Sequence, residues 1–203
     1  MIRSLLAEFG IAMPRGLHHA LALAKQLTEG HTTDVPELAG SLVTSLAHQI
    51  GAIHQELATL EKELLAWHRS NELSQRLATI PGVGLIAATA LAASVSEPER
   101  FRSGRQFAAS LGLTPLQKSS GGKERLGRIS RMGDRYQLLV VGMTSLVRRA
   151  RTAPASVDPR ITAMLDRRPA RLVTVAAANR TARVALAIMT RGGTYRKPIA
   201  ASA

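Results

Sequence analysis

A regular row of large apolar side chains between residues 43 and 67 restricts the fold more than any other feature of the chain. The row is spaced alternately by three and four residues and consists of Val43, Leu46, Ile50, Ile53, Leu57, Leu60, Leu64 and Trp67. In an α-helix, this spacing keeps the row on one face, as in a coiled coil. We call this row the apolar seam. An amphipathic helix packed along its own domain is the alternative.

A glycine-rich turn follows the predicted helix. Ile80-Pro81-Gly82-Val83-Gly84 leads into a run of small apolar residues from 85 to 93. Such a turn exposes backbone N–H groups at a helix start, where a phosphate oxygen can bind without recognition of a base. We interpret the turn as helix-hairpin-helix-like, with Gly82 and Gly84 as nucleic-acid contacts. A plain connection between two helices is the alternative.

The charge of the chain is strongly polarised. Residues 100 to 151 contain twelve Lys/Arg and two Asp/Glu. Residues 1 to 99 contain six Lys/Arg and ten Asp/Glu. This polarity favours an acidic polymer as partner. Aromatic residues make up 3% of the chain, too few for the stacking platforms of single-strand binders, which counts against a single-strand reader. The partner that we expect is double-stranded DNA. The candidate phosphate contacts are Arg102, Arg105, Lys118, Lys123, Arg125, Arg128, Arg131 and Arg135.

Two serines lie within this basic run. The stretch Gln117-Lys118-Ser119-Ser120-Gly121-Gly122-Lys123 predicts a tight turn, with Arg125 and Arg128 on the returning arm of a small β-hairpin. Cations can neutralise a phosphodiester, but a serine hydroxyl attacks it only when a base activates the hydroxyl. Glu124 is the one carboxylate close in sequence, and the activation step stays unexplained. A solvated Ser/Gly turn is the alternative.

The composition argues against a metal site and against a membrane-spanning segment. The chain has no cysteine, and its six histidines all precede residue 69 without the H-E-x-x-H spacing of a zinc site. No metal site is therefore predicted. Charge or glycine interrupts the apolar stretches well short of the ~20 residues that a membrane span needs. We expect no membrane partner and a cytoplasmic protein.

An ordered set of motifs resembles the C-terminal transposase domain of the insertion-sequence 110/1111 family. Residues 5 to 10 are similar to the linker that follows the family's catalytic domain, the apolar seam to its coiled coil, and residues 175 to 183 to its terminal helix. The motifs are, in chain order, Ile80-Pro81-Gly82-Val83-Gly84, Phe101-Arg102-Ser103-Gly104-Arg105-Gln106-Phe107, Leu111-Gly112-Leu113-Thr114-Pro115, Ser119-Ser120-Gly121-Gly122-Lys123 and Gly133-Asp134-Arg135-Tyr136. Gln137 follows the last motif where the family usually continues with Leu-Arg.

The resemblance implies DNA recombination by a two-part active site. A RuvC-like domain with four acidic metal ligands cooperates with a serine nucleophile, which by motif position would be Ser120, with Ser119 as the alternate. The serine would form a covalent phosphoserine link to DNA, and a structured guide RNA would choose target and donor. The chain begins where the RuvC-like domain should have ended. We therefore expect no cofactor in this chain and magnesium only with that missing domain.

These observations predict a mostly α-helical protein: a helical linker over residues 1–35, a coiled-coil helix over 36–79, and a compact helical DNA-binding domain over 80–203 with a small basic β-hairpin. The leading function is the C-terminal part of a DNA transposase, self-associating through the coiled coil and inactive without a RuvC-like domain. Alternatives are a non-catalytic DNA- or RNA-binding module and a decayed transposase remnant. The basic run disfavours a third, a coiled-coil scaffold.

Overall fold

The computed structural model describes residues 2–8, 10, 12, 14–29, 37–117, 126–129 and 134–196. These residues are mainly α-helical, which confirms the predicted fold class. Two compact units, residues 1–63 and 64–203, make up the chain. The elements are α1 (Ile2–Glu8), α2 (Leu17–Thr28), α3 (Glu37–Ser70), α4 (Glu72–Ala78), α5 (Leu85–Ser94), α6 (Gly104–Ser110), β1 (Pro115–Gln117), β2 (Leu126–Ile129), α7 (Asp134–Thr152), α8 (Pro159–Leu165) and α9 (Ala170–Arg191), with short 3-10 turns at Pro98–Arg100 and Pro154–Ser156.

The long helix α3 carries the apolar seam. In the first unit, Val43 is fully buried, whereas Ile53, Leu57 and Leu60 are 57%, 50% and 53% exposed. The seam is thus covered at its start and open in its middle. The structure supports the helical periodicity of the seam, and the coiled coil itself stays a prediction because it requires a partner helix.

Asn71 separates α3 from α4. Its side chain accepts a hydrogen bond from the backbone N–H of Ser74 at 2.8 Å, the usual contact of a helix N-cap. The hydroxyl of Ser74 is buried and lies 2.7 Å from Nδ1 of His68. The segment predicted as one helix over residues 36–79 is therefore two helices, and His68 has a structural partner at the junction.

The core of the second unit forms around α9. Ala178, Ala182 and Ala185 on this helix are fully buried, and their small side chains let neighbouring helices approach closely. Larger side chains from the other helices fill the surrounding space, among them Phe107 and Leu139. By length and composition α9 could also cross a membrane, but half of its most apolar window is buried inside the unit. The expectation that every apolar stretch falls well short of a membrane span was therefore wrong for α9, which includes residues 175–183, where the family resemblance placed a terminal helix.

The glycine-rich turn packs directly on α7. Gly82 has a φ of +84°, a left-handed conformation that favours glycine. A Cβ added to Gly82 would collide with the Cε of Met143, and a Cβ on Gly142 would collide with the carbonyl oxygen of Gly82. Gly142 is therefore required by its contact with backbone, whereas Gly82 is favoured mainly by its positive φ, because the atom nearest to an added Cβ is the flexible end of Met143.

The two strands pair antiparallel, with Pro115 opposite Ile129 and Gln117 opposite Leu126. An irregularity interrupts the register between Pro115 and Gln117. The turn predicted to connect the strands, residues 118–125, lies outside the described residues.

Replacing Gly142 by Ala should destabilise the second unit. The new methyl group would overlap the carbonyl oxygen of Gly82, and such overpacking costs about 1–3 kcal/mol of unfolding free energy. Urea unfolding followed by circular dichroism measures the change. The control is Gly51→Ala on α3, where a Cβ meets nothing within 4 Å and should not lower stability. Equal stability of Gly142→Ala and the wild type would contradict the close approach of the two glycines.

Candidate nucleic-acid interface

The glycine-rich turn presents the start of α5 to solvent. Ile80 and Val83 are buried in the core and fix the turn, while Pro81, Gly84 and Ile86 are exposed. Gly84 is the N-cap of α5 in an extended conformation and receives no side-chain cap from the residues the structure describes. A Cβ at Gly84 would meet nothing within 4 Å. An anion could therefore reach the first N–H groups of the helix.

The two glycines singled out in the sequence differ in their surroundings. Gly82 faces α7, whereas Gly84 faces open space. The positive φ of Gly82 and its packing against Met143 and Gly142 account for this glycine without a ligand. Of the two, Gly84 has the geometry that suits a phosphate contact.

Arg102 and Arg105 flank the start of α6, and both side chains are exposed. The N-cap residue Ser103 accepts a hydrogen bond from the backbone N–H of Gln106 at 3.2 Å. In return, Oε1 of Gln106 accepts one from the backbone N–H of Arg102 at 2.8 Å. These reciprocal bonds hold the backbone that carries the two arginines.

Arg183 of α9 lies beside the same helix start. A Cβ on Gly104 would come within 2.9 Å of the Cγ and 3.2 Å of the Cα of Arg183, so α6 begins almost in contact with α9. The Arg183 side chain is exposed. Packing therefore brings together cations that are far apart in the chain.

A large cavity of about 860 Å³ lies among the turn, α7, α8 and α9. Its apolar lining includes Pro81, Met143 and Ile161, and the exposed side chains of Arg160 and Arg167 also line it. The cavity thus combines an apolar interior with cations.

Asp158 organises one side of this cavity. Its Oδ2 accepts a hydrogen bond from Nη1 of Arg180 at 2.9 Å, and its Oδ1 accepts one from the backbone N–H of Arg160 at 2.9 Å. Both groups of the ion pair are partly buried, so the charge of Arg180 is neutralised within the protein. In the described part of the chain, the guanidinium groups of Arg160, Arg167 and Arg183 form no ion pair.

The cations of α8 and α9 were not predicted from the sequence as site residues. The basic run between residues 100 and 151 does not exhaust the cations, because residues 152 to 203 contain nine Lys/Arg and two Asp/Glu. Extending the charge count to the end of the chain would have revealed them. The position of Arg183 beside the start of α6 would still have required the fold.

Several predicted site residues are described only in their backbone or lie outside the described ranges. Arg128 lies in β2 and Arg135 in the first turn of α7. The remaining predicted residues lie outside the described residues, namely Lys118, Ser119, Ser120, Lys123, Arg125 and Arg131, together with Glu124.

No group of three or more His, Cys, Asp or Glu side chains that could hold a metal ion occurs within the described ranges. The described residues therefore do not fit the magnesium site that the family resemblance implies for a RuvC-like domain. No reaction step is assigned to a metal in this chain.

Comparison with known proteins points to one family. Residues 74–158 match the model of the transposase IS116/IS110/IS902 family. The chain is 39% identical over 198 residues to a probable family 20 transposase of Pseudomonas aeruginosa, covering 96% of this chain and 59% of the relative. It is 40% identical over 199 residues to a putative transposase of Sinorhizobium fredii, covering 97% of this chain and 51% of the relative.

The transposase for insertion sequence element IS1111A of Coxiella burnetii is 36% identical over 202 residues, covering 96% of this chain and 54% of the relative. The chain thus spans slightly more than half the length of the curated relatives it matches.

Proposed function

The chain belongs to the IS116/IS110/IS902 family of transposases, and from this we propose that it is the C-terminal, DNA-binding part of an insertion-sequence transposase. One observation carries the proposal. The family match over residues 74–158 includes the turn, α5, α6 and α7, and this segment carries Gly84, Arg102 and Arg105 on exposed surface. The proposed work on DNA implies a cytoplasmic location.

Binding in this proposal depends on phosphate charge. The open N-terminus of α5 offers backbone N–H donors, and Arg102 and Arg105 offer guanidinium donors close in sequence. Contacts of both kinds position a protein on a duplex without reading its bases. Target choice then needs another component, and a structured guide RNA is the one that the family resemblance suggests.

Strand cleavage is assigned to Ser120, with Ser119 as the alternate. The serine Oγ would attack the phosphorus of a DNA phosphodiester, forming a phosphoserine while a sugar oxygen leaves as a hydroxyl. The serine proton must pass to a base, and Glu124 is the carboxylate nearest in sequence. We place magnesium in this scheme only with a RuvC-like domain supplied in addition to this chain.

Self-association through the apolar seam is the second part of the proposal. Ile53, Leu57 and Leu60 form an exposed apolar stripe on α3. A second copy of the same helix would cover it in the knobs-into-holes packing of a coiled coil. The proposed oligomer would bring several DNA-binding surfaces together.

Duplex binding should weaken steeply with salt. The double variant Arg125→Ala/Arg128→Ala should lower affinity equally for unrelated sequences and reduce the log–log salt slope by about 0.9 for each phosphate that the variant no longer neutralises. Fluorescence anisotropy with duplex DNA measures both. The double variant Arg3→Ala/Arg69→Ala removes the same charge from exposed positions on α1 and α3 and should change the slope little. A wild-type affinity insensitive to salt would contradict the electrostatic argument.

Ile53→Asp/Leu57→Asp should dissociate the oligomer, since burying each side chain contributes roughly 1.5–3 kcal/mol and two carboxylates oppose it. Sedimentation velocity measures the oligomeric state. Gln55→Asp/Thr59→Asp is the matched control, because both exposed residues lie on the opposite side of the helix with the same spacing. A monomeric wild type would show that the seam is not a self-association surface.

Ser120 should form a protein–DNA adduct only when a RuvC-like domain and magnesium are supplied. The reason is that an unactivated serine attacks a phosphodiester negligibly. Ser120→Ala should abolish the adduct with little change in DNA affinity, because one neutral hydroxyl adds little beside many cations. A denaturing gel detects the adduct.

An adduct that survives Ser120→Ala but not Ser119→Ala would move the nucleophile to Ser119. Intact binding without an adduct in either context would instead support a non-catalytic binding module or a decayed remnant.

A further inference from the structure

A second groove of about 540 Å³ lies between α7 and the first turns of α9. We call it the α7–α9 groove. Arg148 and Arg151 of α7 and Arg171 of α9 line it, and no acidic side chain of the described ranges does so. None of the residues of the glycine-rich turn or of α6 contributes to it. The groove is therefore separate from the surfaces that the proposed function uses.

The three arginines have no competing partner within the described chain. Each is exposed, and none takes part in an ion pair or a side-chain hydrogen bond with another described residue. Their guanidinium groups are thus available as charged donors. A ligand that satisfies them must offer several anionic acceptors.

The other polar side chains of the groove are already used. The hydroxyl of Thr144 donates to the carbonyl oxygen of Val140 at 2.8 Å, and that of Thr174 donates to the carbonyl oxygen of Ala170 at 2.9 Å. Both bonds lie within single helices. The guanidinium groups of the three arginines are therefore the main hydrogen-bond donors that the groove presents to a ligand.

Rigid packing fixes the helices that carry these arginines. Val147 of α7 and Val173 of α9 are 4% and 1% exposed and belong to one small apolar cluster. A site on helices packed in this way loses less entropy on binding than one on a loop. Arg171 also lies at the positive N-terminal end of α9.

A purely structural role explains only part of this arrangement. Arg149 and Arg151 lie in the last turn of α7, where a cation stabilises the helix dipole. That role does not account for Arg148 and Arg171, which line the same groove from different helices. An extended polyanion accounts for all three groove arginines.

We propose that the α7–α9 groove binds the sugar-phosphate backbone of duplex DNA through Arg148, Arg151 and Arg171. This inference rests on the proposed function, which supplies DNA as the polyanion. The contact reads phosphate charge and no base sequence. It adds a backbone-binding surface beyond the turn and α6.

The test compares two triple variants of the full chain by anisotropy on a fluorescent duplex of unrelated sequence. Arg148→Gln/Arg151→Gln/Arg171→Gln should lower the log–log salt slope by up to about three, since each phosphate contact contributes about 0.9. Arg149→Gln/Arg168→Gln/Arg191→Gln removes the same charge from exposed arginines that do not line the groove and should change the slope much less. Arg148→Lys/Arg151→Lys/Arg171→Lys should retain most of the slope.

Four results would overturn the inference. Equal slopes for the groove variant and wild type, or equal losses in both Gln variants, would reject the groove while leaving DNA binding intact. A loss confined to a duplex RNA probe would reject DNA as the occupant. A wild type that does not bind DNA would reject the proposed function and the inference with it.

Site-specific cross-linking provides a measurement that keeps all three arginines. Because the chain contains no cysteine, a photoactivatable group attached to Thr144→Cys reports on the groove alone. This position should cross-link to duplex DNA several-fold more than Ala187→Cys, an exposed position on α9 outside both cavities. Equal cross-linking at the two positions would overturn the inference.

Discussion

The close approach of Gly82 to Gly142 is the contact on which the arrangement of the second unit depends. No side chain separates the turn from α7, so the turn lies against the helix backbone. Ile80 and Val83 then enter the core, and Gly84 is left facing solvent. The orientation of α5, and with it the exposure of the open N-terminus of this helix, follows from this contact.

The helix α9 serves both as the core of the second unit and as a source of exposed cations, and different residue types serve each role. Alanines such as Ala178 and Ala182 face the core and allow close packing, while long arginines on other faces reach solvent. Arginine suits this arrangement because its aliphatic stem can lie on apolar surface while its guanidinium stays hydrated. Arg171 and Arg183 consequently reach two different cavities from one rigid helix.

The two kinds of proposed surface complement each other physically. An apolar stripe on α3 favours association of copies, whereas the cationic surfaces of the second unit favour a polyanion. Association would place several weak phosphate-binding surfaces on one DNA molecule, and linked binding sites gain affinity through effective concentration. In the proposed scheme, contacts to phosphates alone would in this way hold DNA firmly while another component selects the sequence.

Local patterns in the sequence determined the fold class, the family and the helical run of the apolar seam, because periodicity and motif order are properties of neighbouring residues. The break at Asn71 was not predicted, and the resemblance placed a terminal helix only over residues 175–183, a part of the longer core helix α9. Only the tertiary structure distinguished Gly82, packed on α7, from Gly84, open to solvent, and only it brought the arginines of α7 and α9 to one groove. These features depend on packing between residues far apart in the chain, which no local spacing encodes.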